Sequence, residues 1–435
     1  MRYKTVVLSI IIAAFITALA GCSQNTESAL SDDTGLAITN DAKGEAYGAE
    51  IDACDGEAYD YAAPATATAA YDDGTPGTTV PAATHDPSSQ VSEPEKQPPQ
   101  AGQLTAGVWN DNENWGFFSN LVNTDLISFP SYGIDPRFRT VVNVKDKDGQ
   151  PIANALVTLN DNSSNIIWRS VTDKSGSAYL FSPEGTAAIS AEIEYNGKKQ
   201  TCEIQNAKTD TQANNKSSDS VNDVTLDAKS DPFKNTDIMF IVDATGSMSD
   251  EMVFLQSEFT AITNELGTEN TRYAVNFYRD EGDDYVTKCN DFTSDIEELQ
   301  NALNAEEANG GGDTPEAVAD ILKESINNAN WGEKSVKLAF LIFDAPPHTG
   351  TEEVISAAIK DASSKGIHII PVVSSNSDRD TELFGRALAI ATNVKYVFLT
   401  DDSGIGDSHL EPIIGYYEVQ SLYDIIIDIV KEYKQ

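Results

Sequence analysis

Asp243-Ala244-Thr245-Gly246-Ser247 places a carboxylate and two hydroxyls at alternate positions of one short stretch. Oxygen side chains spaced in this way within a turn can converge on one point. A hard divalent cation takes oxygen ligands and keeps coordination positions open for water or a partner. The chemistry suggested is therefore cation binding, with Mg²⁺ first and Mn²⁺ or Ca²⁺ as alternatives. The motif gains meaning only if the fold holds it open and other segments supply the missing oxygens.

The elements needed to position it are legible from about residue 235 onward. Ile238–Val242 is an unbroken apolar run that stops at Asp243. Met248, Met252, Leu255, Phe259, Ile262 and Leu266 then recur at spacings of four and three, one face of a helix. Further apolar strands are predicted at Tyr273–Phe277, Leu338–Phe343, Ile367–Val373 and Lys395–Leu399. Helices are predicted over Ala317–Ala329, Glu352–Ser364, Thr381–Ala391 and Ser421–Lys434. Near-continuous apolar strands alternating with helices imply an α/β, doubly wound, mostly parallel sheet covered on both faces, here over 235–435. Ligands bind at the carboxyl ends of strands in such folds. Asp243 and Asp344 each directly follow a strand.

On these residues the last 200 positions resemble a von Willebrand factor type A (VWFA) domain with a metal-ion-dependent adhesion site. The family's Asp-x-Ser-x-Ser appears as Asp243-Ala244-Thr245-Gly246-Ser247, with Thr245 keeping the hydroxyl. The resemblance implies a further ligand from Gly310-Gly311-Gly312-Asp313-Thr314-Pro315-Glu316 and a last one from Asp344. Thr314 matches most of the family and is favoured. Asp-Thr-Pro-Glu also resembles the integrin β-subunit loop, which would make Glu316 the ligand and Asp313 a contributor to a neighbouring site. The implied set is Asp243, Thr245, Ser247, Thr314 and Asp344, with Asp313 and Glu316 as alternatives. Two carboxylates balance the ion, neutral hydroxyls do not repel an incoming anion, and an open seat accepts a carboxylate from a protein partner. Glu316 alone also reads as an acid stabilised near a helix N-terminus. Asp280–Asp284 reads as a solvated loop, with a second cation as the alternative. Asp401, Asp402 and Asp407 flank a Gly-containing loop suited to shaping partner choice. His348, close behind Asp344, is the only histidine near these candidate ligands.

Ahead of this region an all-β sandwich is expected over 105–228. Strands are predicted at Arg139–Val144, Ala155–Leu159, Ile166–Val171, Ala178–Phe181, Ala188–Tyr195, Lys199–Ile204 and Val224–Leu226, separated by Gly or Asn-Gly turns. Val144 through Val157, followed by Thr172-Asp173-Lys174-Ser175-Gly176, resembles carboxypeptidase regulatory-like domains, which implies a structural or contact-making module. The Asp146-Lys147-Asp148 turn lacks EF-hand spacing and reads as a hairpin.

Arg2 and Lys4 precede a short apolar core ending in Leu19-Ala20-Gly21-Cys22. This resembles a bacterial lipobox, implying removal of signal peptide 1–21 and lipid on Cys22, with an ordinary secretory signal as the alternative. The lipid would be the membrane anchor, on the extracytoplasmic face of the cell membrane or on the outer membrane where there is one. Residues 22–104 read as a disordered acidic linker containing only Lys43 and Lys96 as basic residues. Over the whole chain of 435 residues, 69 acidic against 29 basic side chains give a net charge of −40, which repels nucleic acid. Cys54, Cys202 and Cys289 lack zinc spacing and are expected as free thiols, a Cys202–Cys289 bridge being the alternative. No nucleophile elbow or phosphate loop is present, so binding is expected rather than catalysis. A metal-dependent hydrolase, with His348 or Glu316 as its base, and a scaffold with a stabilising metal are the alternatives.

Overall fold

The computed structural model describes residues 102–434 except 125, 128–131, 206–219 and 313, and only the backbone of Asp250. The expected signal peptide, Cys22, Cys54, nearly all of the expected linker and Asp313 lie outside the described residues. No described helix is long and apolar enough to cross a membrane.

The described chain opens with β1 (Thr105–Trp109) and α1 (Trp115–Asn123). Seven strands follow: β2 (Arg139–Lys145), β3 (Leu156–Asn160), β4 (Ile166–Val171), β5 (Ser177–Phe181), β6 (Ser190–Tyr195), β7 (Lys198–Glu203) and β8 (Ser220–Thr225). They form two sheets, β5-β2-β8 and β4-β3-β6-β7. Alternation puts Val157 and Leu159 of β3 and Ala191 and Ile193 of β6 inside. All pairs are antiparallel except β2 with β8. β8 begins before the expected Val224 because its inner face starts with polar Ser220 and Asn222. Asn222 Nδ2 donates to the carbonyls of Val141 (3.3 Å) and Ser220 (3.1 Å), so burial there is satisfied without hydrophobicity.

The α/β body comprises β9 (Asn235–Asp243), α2 (Ser249–Leu266), β10 (Thr271–Tyr278), β11 (Thr287–Lys288), α3 (Ile296–Asn304), α4 (Val318–Asn327), β12 (Ser335–Phe343), α5 (Glu352–Lys365), β13 (Ile367–Val373), α6 (Arg379–Thr392), β14 (Tyr396–Leu399), β15 (Gln420–Ser421) and α7 (Leu422–Tyr433). The sheet order is β11-β10-β9-β12-β13-β14-β1-β15. From β10 to β14 neighbouring strands are parallel. Helices α2 and α7 pack together on one face, and α4, α5 and α6 form the opposite layer. Between them Phe240 stacks on Phe340 at 5.5 Å and meets Phe259 edge-on at 4.8 Å. Each fully buried side chain of this kind contributes about 1.5–3 kcal/mol.

The chain runs from β9 to β10 on one side, then returns with β12 on the other side of β9. That reversal makes the carboxyl ends of β9 and β12 the switch point where a crevice opens. Asp243 and Asp344 stand at those two ends.

One domain boundary differs from the sequence expectation. Residues 105–109 do not join the sandwich; β1 pairs antiparallel with β14, Trp109 opposite Tyr396, and adds to the α/β sheet. The short Thr-Ala-Gly-Val-Trp run carries no periodicity that could name its partner. Gly107 explains the fit: a Cβ there would lie 2.3 Å from the Phe398 ring. The sandwich also rests on the α/β body, with Trp168 Nε1 donating to Ser363 Oγ (3.3 Å) and Asn393 Nδ2 to Asp173 Oδ2 (2.7 Å). Cys202 and Cys289 are free thiols.

Candidate metal centre

Asp243 ends β9 wholly buried. Its Oδ1 accepts from the Thr245 backbone N–H (2.9 Å) and from the Thr245 hydroxyl (2.7 Å). This carboxylate-capped turn bends the chain out of the sheet and into α2. The hydroxyls of Thr245 and Ser247 are 3.1 Å apart, so the alternate spacing does gather oxygens.

Two further loops are fastened to this turn through the backbone. Gly246 N–H donates to the Gly310 carbonyl (3.1 Å), and Asn309 N–H to the Ala244 carbonyl (2.9 Å). Glu316 N–H donates to the carbonyl of Pro346, two residues beyond Asp344 (3.1 Å). Gly311 has φ +71°, and a Cβ on it would lie 2.8 Å from Glu316 Oε1 and 3.1 Å from Thr245 Cβ. Glycine is needed there for close approach as well as for its backbone angle.

The result is a pocket of carboxylates. Asp243, Glu316 and Asp344 are 0%, 3% and 5% exposed. Each keeps one oxygen without a hydrogen-bond partner: Asp243 Oδ2, Glu316 Oε2 and Asp344 Oδ1. Burial raises the pKa of all three. Burial, followed by the charges of Asp243, Asp280 and Asp344, pushes Glu316 up to about 9. Burial and then the Asp243 charge raise Asp344, which the Ser247 hydroxyl partly relieves. The hydrogen bonds from Thr245 relieve Asp243 in part. Buried acceptors with nothing to accept from are rare in folded proteins and call for an ion, a proton or water.

The donors suit a hard cation. Among the described residues no three His, Cys, Asp or Glu side chains stand close enough to hold an ion by themselves. A cation here would need oxygens besides carboxylates, and the neighbouring hydroxyls of Thr245 and Ser247 could supply them, a mixture Mg²⁺ accepts.

The two alternatives for the glycine-rich loop are placed differently. Thr314 is exposed and lines a shallow cleft of about 420 Å³ with Tyr132, Pro346, His348 and Asp378. Glu316 is the residue buried beside Asp243 and Asp344. The structure thus buries Glu316 beside Asp243 and Asp344 and leaves Thr314 exposed on the same loop. The backbone bond from Glu316 to Pro346 fastens this loop to the one that follows Asp344, a constraint no spacing rule contains.

Asp280–Asp284 is only partly the solvated loop expected. Glu281 and Asp284 are exposed, but Asp283 Oδ2 accepts from Gly311 N–H (2.8 Å) and Asp280 N–H (3.1 Å), bracing the glycine loop. His348 Nε2 lies 2.5 Å from Asp280 Oδ1. Asp401 accepts from the backbone N–H (2.9 Å) and Nδ1 (2.8 Å) of His409, and Asp407 from Asn376 Nδ2 (2.9 Å). Two neighbours were not anticipated. Tyr278, paired with Asp243 in the sheet register, is wholly buried; its hydroxyl lies beside the Asp243 carboxylate without meeting full hydrogen-bond geometry. Glu251, wholly buried, accepts from the Ser375 N–H (3.2 Å) and hydroxyl, and its charge acts on Asp344. An acid in the first turn of a helix reads as an ordinary terminal charge, so its burial carried no sequence signal.

Residues 237–406 match the family model described as von Willebrand factor A domain. The chain is also similar to an ariadne-like RING finger protein of Acanthamoeba polyphaga mimivirus, 33% identical over 114 residues. That stretch is 26% of this chain and 11% of the viral protein, so the chain spans only about a tenth of that relative. The family match begins within β9 and includes Asp243, the glycine loop and Asp344. The match supports a von Willebrand factor A domain over residues 237–406 of the α/β body.

Proposed function

We propose that this chain is an extracytoplasmic lipoprotein whose von Willebrand factor A domain grips a protein ligand through a divalent cation, Mg²⁺ first. A domain of this family is consistent with a protein-interaction or adhesion role. The observation that carries the finer reading is the convergence of Asp243, Glu316 and Asp344, each with a buried, unpartnered oxygen. Asp243, Thr245, Ser247 and Asp344 would hold the ion, with Glu316 as the further oxygen donor. A bound ion supplies a Lewis-acidic seat for a partner's carboxylate.

The protein's own groups account for the rest of the design. Asp243 and Asp344 offset the ion's charge, while neutral Thr245 and Ser247 leave room for an incoming anion. Gly310 to Gly312 have φ values of +83°, +71° and +118°, conformations that favour glycine, and at Gly311 the missing Cβ leaves room beside Thr245 and Glu316. The reading is of binding rather than turnover. Cys22 after Leu19-Ala20-Gly21 supports the lipid anchor, and the acidic stretch up to residue 101 supports a tether.

Isothermal titration of the purified chain with Mg²⁺ and with Mn²⁺ tests the site. Saturable binding at one site, abolished in Asp243→Ala, is the expected result. An absence of binding by both ions would sink the reading. Cys22→Ser should move the protein out of the membrane fraction; membrane retention by that variant would contradict the anchor.

A further inference from the structure

The charges around the crevice specify what kind of carboxylate can reach it, an inference that rests on the cation-binding reading. The strands β9, β10, β12, β13 and β14 run parallel, so the loops that leave them share one face with Asp243 and Asp344. Segments 243–251, 279–286, 305–317, 344–351, 374–380 and 400–419 lie at that end and contain no lysine and only two arginines, Arg279 and Arg379. Lys288, on β11 beside the carboxyl end of β10, reaches back to Glu306, its Nζ donating to Oε2 (2.8 Å). All three cations are already paired. Arg279 Nη2 donates to Glu306 Oε1 (3.0 Å) and the Glu307 carbonyl (2.8 Å). Arg379 donates to Glu382 and to the Glu411 carbonyl. His348 and His409 each face an aspartate.

Around these lie exposed acids on four of the loops, among them Glu281, Asp284, Asp380, Asp402, Asp407 and Glu418. A divalent ion is offset at the centre by Asp243 and Asp344, so its positive charge does not extend over the rim. A lone carboxylate arriving from solvent is repelled before it reaches the seat. The ring acts over roughly the 8 Å Debye length of physiological salt. Like charges facing each other suppress wrong partners and slow encounter. Tyr416, 86% exposed on the loop after β14, adds an aromatic face, which attracts guanidinium and ammonium groups.

We infer that the partner of this site is a protein segment presenting one Asp or Glu between basic residues, so that Lys or Arg side chains meet the acidic rim while the carboxylate meets the ion. Acidic or neutral carboxylate-bearing segments are the partners this face rejects.

Synthetic peptides test the inference. Four peptides of equal length carry a central Glu flanked by Lys/Arg, by Ser/Gly, or by Asp/Glu, or a central Gln flanked by Lys/Arg. Mg²⁺ binding by the protein alone is measured first; its absence counts against the cation reading itself, independently of any peptide. With Mg²⁺ bound, the basic-flanked Glu peptide should bind about tenfold or more tighter than the neutral one in low salt. The gap should shrink toward about twofold in 0.5 M salt. The central Gln should lose most of the binding.

Glu281→Gln/Asp284→Asn/Asp402→Asn/Glu418→Gln neutralises four exposed rim acids outside the proposed ion ligands. It should keep Mg²⁺ binding and narrow the basic-over-neutral preference severalfold. Equal binding of neutral or acidic peptides, an unchanged preference in this variant, or no binding of the basic peptide to Mg²⁺-loaded protein would each overturn the inference.

Discussion

Two groups of buried carboxylates sit in the same α/β body and are treated in opposite ways. Asp111 and Glu382 surround Arg386, whose guanidinium is fully buried and donates to Asp111 through two bonds (2.8 and 2.7 Å) and to Glu382 (3.0 Å). Arg386 also lies over the Phe118 ring, 5.0 Å from its centroid. That cluster carries its counter-charge within the chain and knits β1 and α1 to α6. Asp243, Glu316 and Asp344 are as deeply buried, yet the charges that act on them are acidic. Burying carboxylates without partners is expensive. The first cluster is complete as folded, whereas the second leaves buried oxygens that a cation, a proton or water would satisfy.

The largest expected effect tests the complete cluster. Arg386→Met leaves Asp111 and Glu382 buried without their cation and should cost about 3–5 kcal/mol of stability. Denaturant unfolding checks this, and added Mg²⁺ should not recover that loss selectively. A loss under about 1 kcal/mol would show that the two clusters are not opposites.

Next in size is ligand-linked stabilisation of the incomplete cluster. Mg²⁺ at about a hundredfold above its Kd should raise the stability of the unmodified protein by about 2.7 kcal/mol. Asp243→Asn should remove that gain while leaving the metal-free protein at least as stable, because a buried charge is gone. A metal-free Asp243→Asn that is markedly less stable would mean that the carboxylate already has a satisfied structural role.

A smaller effect separates the two candidates in the glycine-rich loop. Glu316→Gln should weaken Mg²⁺ affinity by about tenfold or more, and Thr314→Ala should change it by less than about threefold, as second-sphere and ligand changes differ in cost. Titration calorimetry on both variants decides it, and the reverse ranking would restore Thr314 as the ligand.

Glu258 gives the most graded case. It is buried on α2 and accepts from the Gly102 backbone N–H (2.7 Å), leaving Oε2 without a partner. Burial, only partly offset by backbone hydrogen bonds, pushes its pKa up to about 7. Between the ordinary glutamate range and about pH 7 the folded chain holds a proton that the unfolded chain has released. Stability from this group therefore falls as pH rises through that window. Glu258→Gln should flatten the fall, so the melting-temperature difference between variant and parent should grow in the variant's favour from pH 5 to pH 8. A constant difference would show that this carboxylate is not held protonated.

The contrast also explains how much was readable in advance. Ile238–Val242 and Leu338–Phe343 announce central strands, and helix periodicity from Met248 places α2, so the carboxyl ends bearing Asp243 and Asp344 follow from pattern alone. The alternate spacing of Thr245 and Ser247 likewise survives folding as neighbouring hydroxyls. What could not be read depends on contacts between distant segments. Asp111 and Arg386 are 275 positions apart, and nothing local marks them as partners. β1 is too short to declare its sheet, and Ser220 and Asn222 hide a strand behind polar inward residues. Glu316 is buried on a loop fastened to Pro346 through the backbone, while its sequence context reads as an ordinary helix start. Local periodicity records which face of an element is buried. It does not record which buried charges will meet.

The central claim is that the Asp243, Glu316 and Asp344 cluster is completed by a divalent cation. An anomalous difference map from crystals soaked in Mn²⁺ tests it most directly. The account predicts a single strong peak coordinated by Asp243, Asp344 and the hydroxyls of Thr245 and Ser247, with Glu316 as the further oxygen donor and one coordination position facing solvent. A map with no peak there, and the three carboxylates joined instead by shared protons or ordered water, would contradict it.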